Sequence, residues 1–330
     1  MSVEQRIAAL FPDGGSKVLQ LVGAPNWAAL GALVPTDQRR GSTLGIALRI
    51  RDALAHRALF VPAAQMSMVL LEHVEAKRGA GHVATLSELG VLGTLLWRSG
   101  AKEQGVRRME EAYRRLLVAE GRRSLAAARV ASDLAMHWVE ENDLGRASEL
   151  LTLAYRARKH HAPTSLGLVA AQLAEVCLRR GEYEQAETPA KEAWELHLAQ
   201  LGLNNPRTRV RGRVYADLLL HLDNKEKACP IYRKVLSSIP DKQGAEYADL
   251  SFELGMALES LGEREEAYRL IERAVRLSRQ LQRSTGEPRA SMARWLDGFA
   301  GLLMQRSRSG EAEGLLLEAV ECERALHGDV

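Results

Sequence analysis

Aromatic side chains are scarce, at 5% of 330 residues. The β-branched runs that strands need are nearly absent as well, which argues against a sheet protein. There are only three cysteines, Cys177, Cys229 and Cys322, odd in number and widely spaced. That pattern excludes a disulfide framework and fits a reducing compartment. No stretch approaches the roughly 20 apolar residues of a membrane span. The chain opens polar, at Met1-Ser2-Val3-Glu4-Gln5-Arg6, without the apolar core of a signal peptide. A cytoplasmic protein that touches no membrane is expected. Neither sign of charge dominates: 45 basic residues face 42 acidic ones, a net charge of +3. A nucleic-acid partner, which calls for a strongly basic element, is not expected.

What is present is helix-forming. Alanine, leucine, arginine and glutamate abound, with 46% hydrophobic and 26% charged residues, the mix of a folded soluble protein. The length suits two compact domains or one elongated array.

Small residues recur at fixed spacing. Gly105 and Ala112, Ala147 and Ala154, Ala186 and Ala193, Ala228 and Val235, Ala267 and Ala274, and Ala312 and Ala319 are pairs seven residues apart. Twelve residues before the first member of each pair stand Gly93, Ala135, Ala174, Ala216, Gly255 and Ala300. Seven residues is two helical turns, so each pair shares a face. A twelve-residue step crosses a tight turn into the preceding helix, where small side chains let two antiparallel helices approach closely. The turns fall at Gly100, Asn142, Gly181, Asp223, Gly262 and Ser307. Glycine and asparagine suit the left-handed conformation that ends a helix, and aspartate and serine suit turns or N-caps. Pro163, Pro206, Pro240 and Pro288 fall in the connections between hairpins, where proline is tolerated.

With the Leu-Gly pairs Leu92-Gly93 and Leu254-Gly255 and the Gly-x-Tyr-x-x-Ala of Gly181 to Ala186, this pattern resembles the tetratricopeptide repeat. The step is 39, 42 or 45 residues rather than the family's usual length of about 34. With the Leu-Gly-x-Asn-x-Pro linker at Leu201 to Pro206, it resembles the longer kinesin-light-chain variant. The resemblance implies an all-α, right-handed α-solenoid of antiparallel helix hairpins, with six hairpins over residues 81–330. Residues 43–80 read as a degenerate first hairpin, because the small-residue rule fails there. Residues 1–42 read as an N-terminal helical cap, with short helices at Val3 to Phe11, Lys17 to Val22 and Trp27 to Val34.

Signals for chemistry are weak. Gly100 to Gly105 lacks the Lys-Ser/Thr of a phosphate loop. Lys159-His160-His161 places adjacent histidines that cannot face one another on a helix, and reads as a basic helix end. The cysteines read as buried thiols. Arg209 and Arg213 share a face after Pro206, either as intrahelical contacts or as a clamp for an anionic peptide. No set of nucleophile, base and oxyanion donors can be read, so an enzyme, a cofactor and a metal are not expected.

In the family, the first helix of each hairpin lines a concave groove, and the exposed places are roughly the second, fifth and ninth of the repeat. Carried onto this chain, the resemblance selects Arg129, Met136, Glu175, Arg213, Asp217, Asp249, Phe252, Met256, Arg294 and Asp297 as groove residues. Arginine beside flexible apolar groups suits a segment with acidic and hydrophobic residues. The expected function is a scaffold or adaptor that binds a protein or peptide in this groove. The alternative is a peptide sensor that controls a partner through a change of curvature. Leu315, Leu316, Ala319 and Val320 are expected to pack on the preceding helix. Leu317, at the C-terminal repeat, is expected to lie uncovered and to favour self-association.

Overall fold

The computed structural model describes residues 43–285 and 291–327. The cap helices expected before residue 42, and Pro288, lie outside the described residues. Among the described residues there are fourteen α-helices and no strands. They are α1 (Thr43–His56), α2 (Phe60–Arg78), α3 (Val83–Arg98), α4 (Lys102–Glu120), α5 (Leu125–Glu140), α6 (Leu144–His161), α7 (Leu166–Arg179), α8 (Tyr183–Leu201), α9 (Pro206–His221), α10 (Lys225–Ser237), α11 (Ala245–Ser260), α12 (Arg264–Thr285), α13 (Met292–Gln305) and α14 (Ser309–His327). A 3-10 turn at Pro163–Ser165 precedes α7.

The tight turns share one design. Gly100, Asn142, Gly181, Asp223, Gly262 and Ser307 all have positive φ. The amide of the residue after each donates to a carbonyl five residues back, as Ala101 does to Leu96 and Asp143 to Trp138. This is the Schellman stop, which satisfies carbonyls that the helix end would otherwise orphan. Asp223 and Ser307 therefore serve as helix terminators rather than N-caps. The α1–α2 turn uses the same device at Ala58, with φ 59° and a bond from Leu59 N to Leu54 O. An alanine there gives no sequence signal and costs about 1 kcal/mol of backbone strain.

All eighteen small-residue positions of the register are buried, and the glycines show why. A Cβ on Gly93 would lie 2.8 Å from the Gly105 carbonyl oxygen, and one on Gly105 would lie 2.6 Å from that of Gly93. At this crossing α3 and α4 touch backbone to backbone. Two prolines sit inside helices, Pro189 in α8 and Pro230 in α10. Each removes one backbone donor from its helix.

The chain divides into two compact units, the first ending at Val176 and the second beginning at Cys177. In the first, successive helices α1 to α6 pack on one another, and α3 also touches α5. Ile50, Leu54, Met66 and Leu70 form one core with Leu92 and Leu95. Leu86, Met109, Leu116, Val130 and Leu134 belong to a second core. The α1–α2 pair is joined to α3 by charge. Arg51 Nη1 lies 2.5 Å from Glu88 Oε2, the Ser67 hydroxyl donates to Glu88 Oε1 at 2.5 Å, and all three residues are buried. Burial opposes the Arg51 charge, but Glu88 and Asp52 together hold the guanidinium above its ordinary pKa. In the second unit, successive helices α8 to α14 pack in the same way, around Tyr232, Leu218, Leu219 and Trp295. The three cysteines are buried and free, and burial pushes their thiols up, away from the reactive thiolate.

Candidate protein-binding surface

The first helix of a hairpin buries one stripe against its partner and another against the next hairpin, leaving a narrow open face. In the second unit that face carries one large apolar side chain per first helix: Val210 on α9, Met256 on α11 and Met304 on α13, exposed by 50%, 37% and 58%. Polar groups share these helices. Arg294 on α13 reaches Glu253 on α11 at 2.6 Å, and its guanidinium stands 5.9 Å from the Phe252 ring centre. Gly298 leaves room above α11: a Cβ there would lie 3.1 Å from Phe252 Cζ and 3.4 Å from Met256 Sδ. Gly301 looks onto open space.

Phe252 is not the exposed anchor expected from its register. It is 3% exposed and stacks on Trp295 of α13, with ring centres 5.0 Å apart. Of the other fifth-place residues, Gly90, Ser132 and Ala171 are buried too, Arg213 is half-buried and Asp297 is exposed. A Cβ on Gly90 would strike Val130 Cγ2 at 2.4 Å. Gly90 and Phe252 face the neighbouring first helix, so they serve stacking and not the solvent face. Arg294, Asp297 and Met256 are exposed. Asp249 is half-buried.

Arg213 and Asp217, both half-buried, pair along α9 at 3.7 Å. The buried Tyr232 hydroxyl donates to Asp217. Burial raises the Asp217 carboxyl above its ordinary value despite that bond and Arg213. Arg209 is no anion clamp: it is 8% exposed and engages Glu246 of α11 at 3.1 Å and the Asn204 carbonyl at 3.0 Å.

In the first unit, Arg129 and Glu175 are exposed and Met136 is half-buried, its sulfur accepting from Gln172 Nε2 at 3.0 Å. Sequence reading missed a half-buried carboxyl on the same helix as Arg129 and Met136. Asp133 on α5 accepts from the Thr94 hydroxyl of α3 at 2.9 Å. Burial raises its carboxyl, against the pull of Thr94, Arg129, Arg98 and Arg158. A single Asp within a helix gives no sequence signal that three arginines converge on it. Leu316 and Val320, expected to pack inward, are exposed by 39% and 49% beside Leu317 at 62%, while Leu315 and Ala319 are buried. No three metal-ligating side chains cluster among the described residues, and none of the described helices is long and apolar enough to cross a membrane.

The family model described as "Tetratricopeptide repeat" matches residues 248–281, the α11–α12 hairpin. Among solved structures, BtubC (BKLC) from P. vanneervenii is 20% identical, with a TM-score of 0.52 over 68% of this chain and 91% of that one. This is a tetratricopeptide-repeat fold. Two further structures are similar at lower scores. The putative kinesin light chain with nearly identical TPR-like repeats from Podosopora anserina is 16% identical, with a TM-score of 0.49 over 62% of this chain and 99% of that one. MamA from Desulfovibrio magneticus RS-1 is 14% identical, with a TM-score of 0.48 over 61% and 97%. No curated protein matches the sequence. The resemblance carried by the small-residue register and the Leu-Gly pairs holds at the level of fold.

Proposed function

We propose that this protein is a non-catalytic interaction scaffold that holds a segment of another protein on the open faces of its first helices. The observation that carries this reading is the exposed large apolar side chain on each first helix of the second unit: Val210, Met256 and Met304. Large apolar side chains left in water on each of these helices, with Arg294, Asp297 and Glu253 on two of the same helices, suit the apolar-centre, polar-rim pattern of a recognition surface. Methionine suits such a surface, because its unbranched, polarizable side chain adapts to a partner's contour. The first unit supports the same use of the fold, with Arg129 and Glu175 exposed and Leu168 exposed by 59%.

The test is affinity capture with the intact protein from cells that produce it, followed by binding measurements on the purified partner. Met256→Glu and Arg294→Glu both change exposed side chains and leave the core alone. The first should speed dissociation, and the second should slow association and alter salt dependence. A partner held equally well by both variants would move the working surface off the first helices.

A further inference from the structure

The second helices carry a feature that the groove does not use. Between α4 and α6 of the first unit lies a cleft of about 1190 Å³. Arg114, Arg122, Arg123 and Arg156 line it, all exposed, and none forms an ion pair with a carboxylate among the described residues. Its wall is apolar and part of the core packing: Tyr113, Leu117, Trp138 and Leu150 pack against the buried cluster around Leu116 and Leu134. Arg146 extends the basic rim, stacked 4.4 Å from the Trp138 ring centre. A second hollow of about 680 Å³ shares Arg114 and Leu117 and is edged by Val118, which is 90% exposed.

Helix ends attract cations, and that alone accounts for Lys159 and His160 in the last turn of α6. It does not account for Arg114 or Arg156, which stand before the last turns of their helices. We infer that this cleft is a second docking site, for an acidic segment of a partner protein that carries an apolar side chain. Charge complementarity selects the acid, and the Leu117–Trp138–Leu150 wall selects the apolar group. Two carboxylates in the same cleft, Glu110 and Glu149, oppose a continuous phosphate backbone but can accept the amide N–H groups of a peptide. This separates a peptide from a nucleic acid as occupant. The site is lined mainly by α4, α6 and the turn after α4, with Leu134 and Trp138 of α5, and it shares no residue with the groove, so each can be tested by itself.

The experiment uses the full chain and a fluorescent peptide of alternating Glu-Glu-Leu-Leu blocks, with a Gln-for-Glu peptide as control. The expected result is binding of the acidic peptide alone, weakening as salt rises. The double variant Arg122→Glu/Arg156→Glu should lose about tenfold or more in affinity, while Arg276→Glu, at an exposed position on α12 outside both surfaces, should leave it unchanged. Helical circular dichroism checks that each variant is folded, and Arg114→Gln/Arg123→Gln provides a milder second pair. No binding by the parent protein, equal binding of the Gln peptide, or binding indifferent to both arginine pairs would overturn the proposal. So would an oligouridylate bound more tightly than the peptide through the same arginines. A self-associating protein whose dimer is dissolved by Arg122→Glu/Arg156→Glu would overturn it too, with a second copy as the occupant.

Discussion

The two units treat arginine on their second helices differently. In the second unit, Arg233 of α10 reaches Glu263 at 2.6 Å and Glu266 at 2.7 Å, Arg279 of α12 is held by Glu318 of α14, and Arg306, after α13, pairs with Glu265 at 3.0 Å. These contacts cross from one hairpin to the next and close the seams with charge. At the α4–α6 cleft of the first unit, four arginines stand over an apolar wall, and among the described residues none of them forms an ion pair, although Glu110 and Glu149 line the same cleft. The first unit pairs arginines within a helix, Arg107 with Glu103 and Arg115 with Glu111 on α4, and one inside, Arg51 with Glu88. Stacking of hairpins therefore does not require open arginines, and where they are left open the apolar floor beneath them is open as well. That combination distinguishes a docking surface from a solvated helix face.

The buried pair gives the largest expected effect. Arg51→Met fills the space but leaves Glu88 buried with only Ser67 to serve it. The expected loss is about 3–5 kcal/mol, because a buried charge without its partner is costly. Denaturant unfolding, with hydrogen exchange to localise the loss to α1–α3, checks it. A change under about 1 kcal/mol would mean that water already serves Glu88 and that the α1–α3 joint is not sealed.

That joint also marks where sequence reading stops. The α3–α14 register was legible because close helix packing demands small side chains at fixed offsets, and Gly93, Gly105 and Gly255 meet neighbouring atoms that would leave no room for more. The α1–α2 pair obeys the same turn geometry, but with Ala58 in the left-handed position and an ion pair in place of small residues, so it carries no periodic signal. The groove was legible only as a face. Whether a residue on it meets solvent or the next first helix depends on helix spacing, which is why Met256 is open and Phe252, four residues earlier, is stacked under Trp295. The α4–α6 cleft was hidden because Arg114, Arg122 and Arg156 are spread along 43 residues of ordinary amphipathic helix and turn.

A smaller effect separates burial from pairing within the first unit. Burial raises the Asp133 carboxyl above its usual value of about 3.9. A raised carboxyl contributes stability that is fully present below the unfolded-state pKa and is lost as pH rises through the folded-state pKa. Asp133→Asn is neutral throughout and keeps an acceptor for Thr94. The variant should match the parent in acid and gain on it progressively from about pH 4 upward. Thermal melts at intervals of one pH unit check this. A variant that falls below the parent near neutrality would show that Arg98, Arg129 and Arg158 outweigh burial and hold Asp133 as an anion.

The smallest effect bears most directly on the contrast between the units. Arg233 is partly exposed, so its two ion pairs are screened by solvent, and Arg233→Ala should cost about 0–1 kcal/mol. The loss should shrink in high salt, because screening weakens the pairs in the parent protein. Arg122→Ala removes no carboxylate contact. Its cost should stay within about 0.5 kcal/mol and should not shrink with salt, since the four cleft arginines repel one another and removing one relieves that repulsion most at low salt. Paired denaturant titrations at low and high salt read both variants. Opposite salt trends would establish that the second unit uses these arginines to hold hairpins together while the first holds them in reserve for a ligand. A salt-sensitive loss of the same size in both would mean that the cleft arginines already have carboxylate partners in solution, and the acidic segment would then have to displace them.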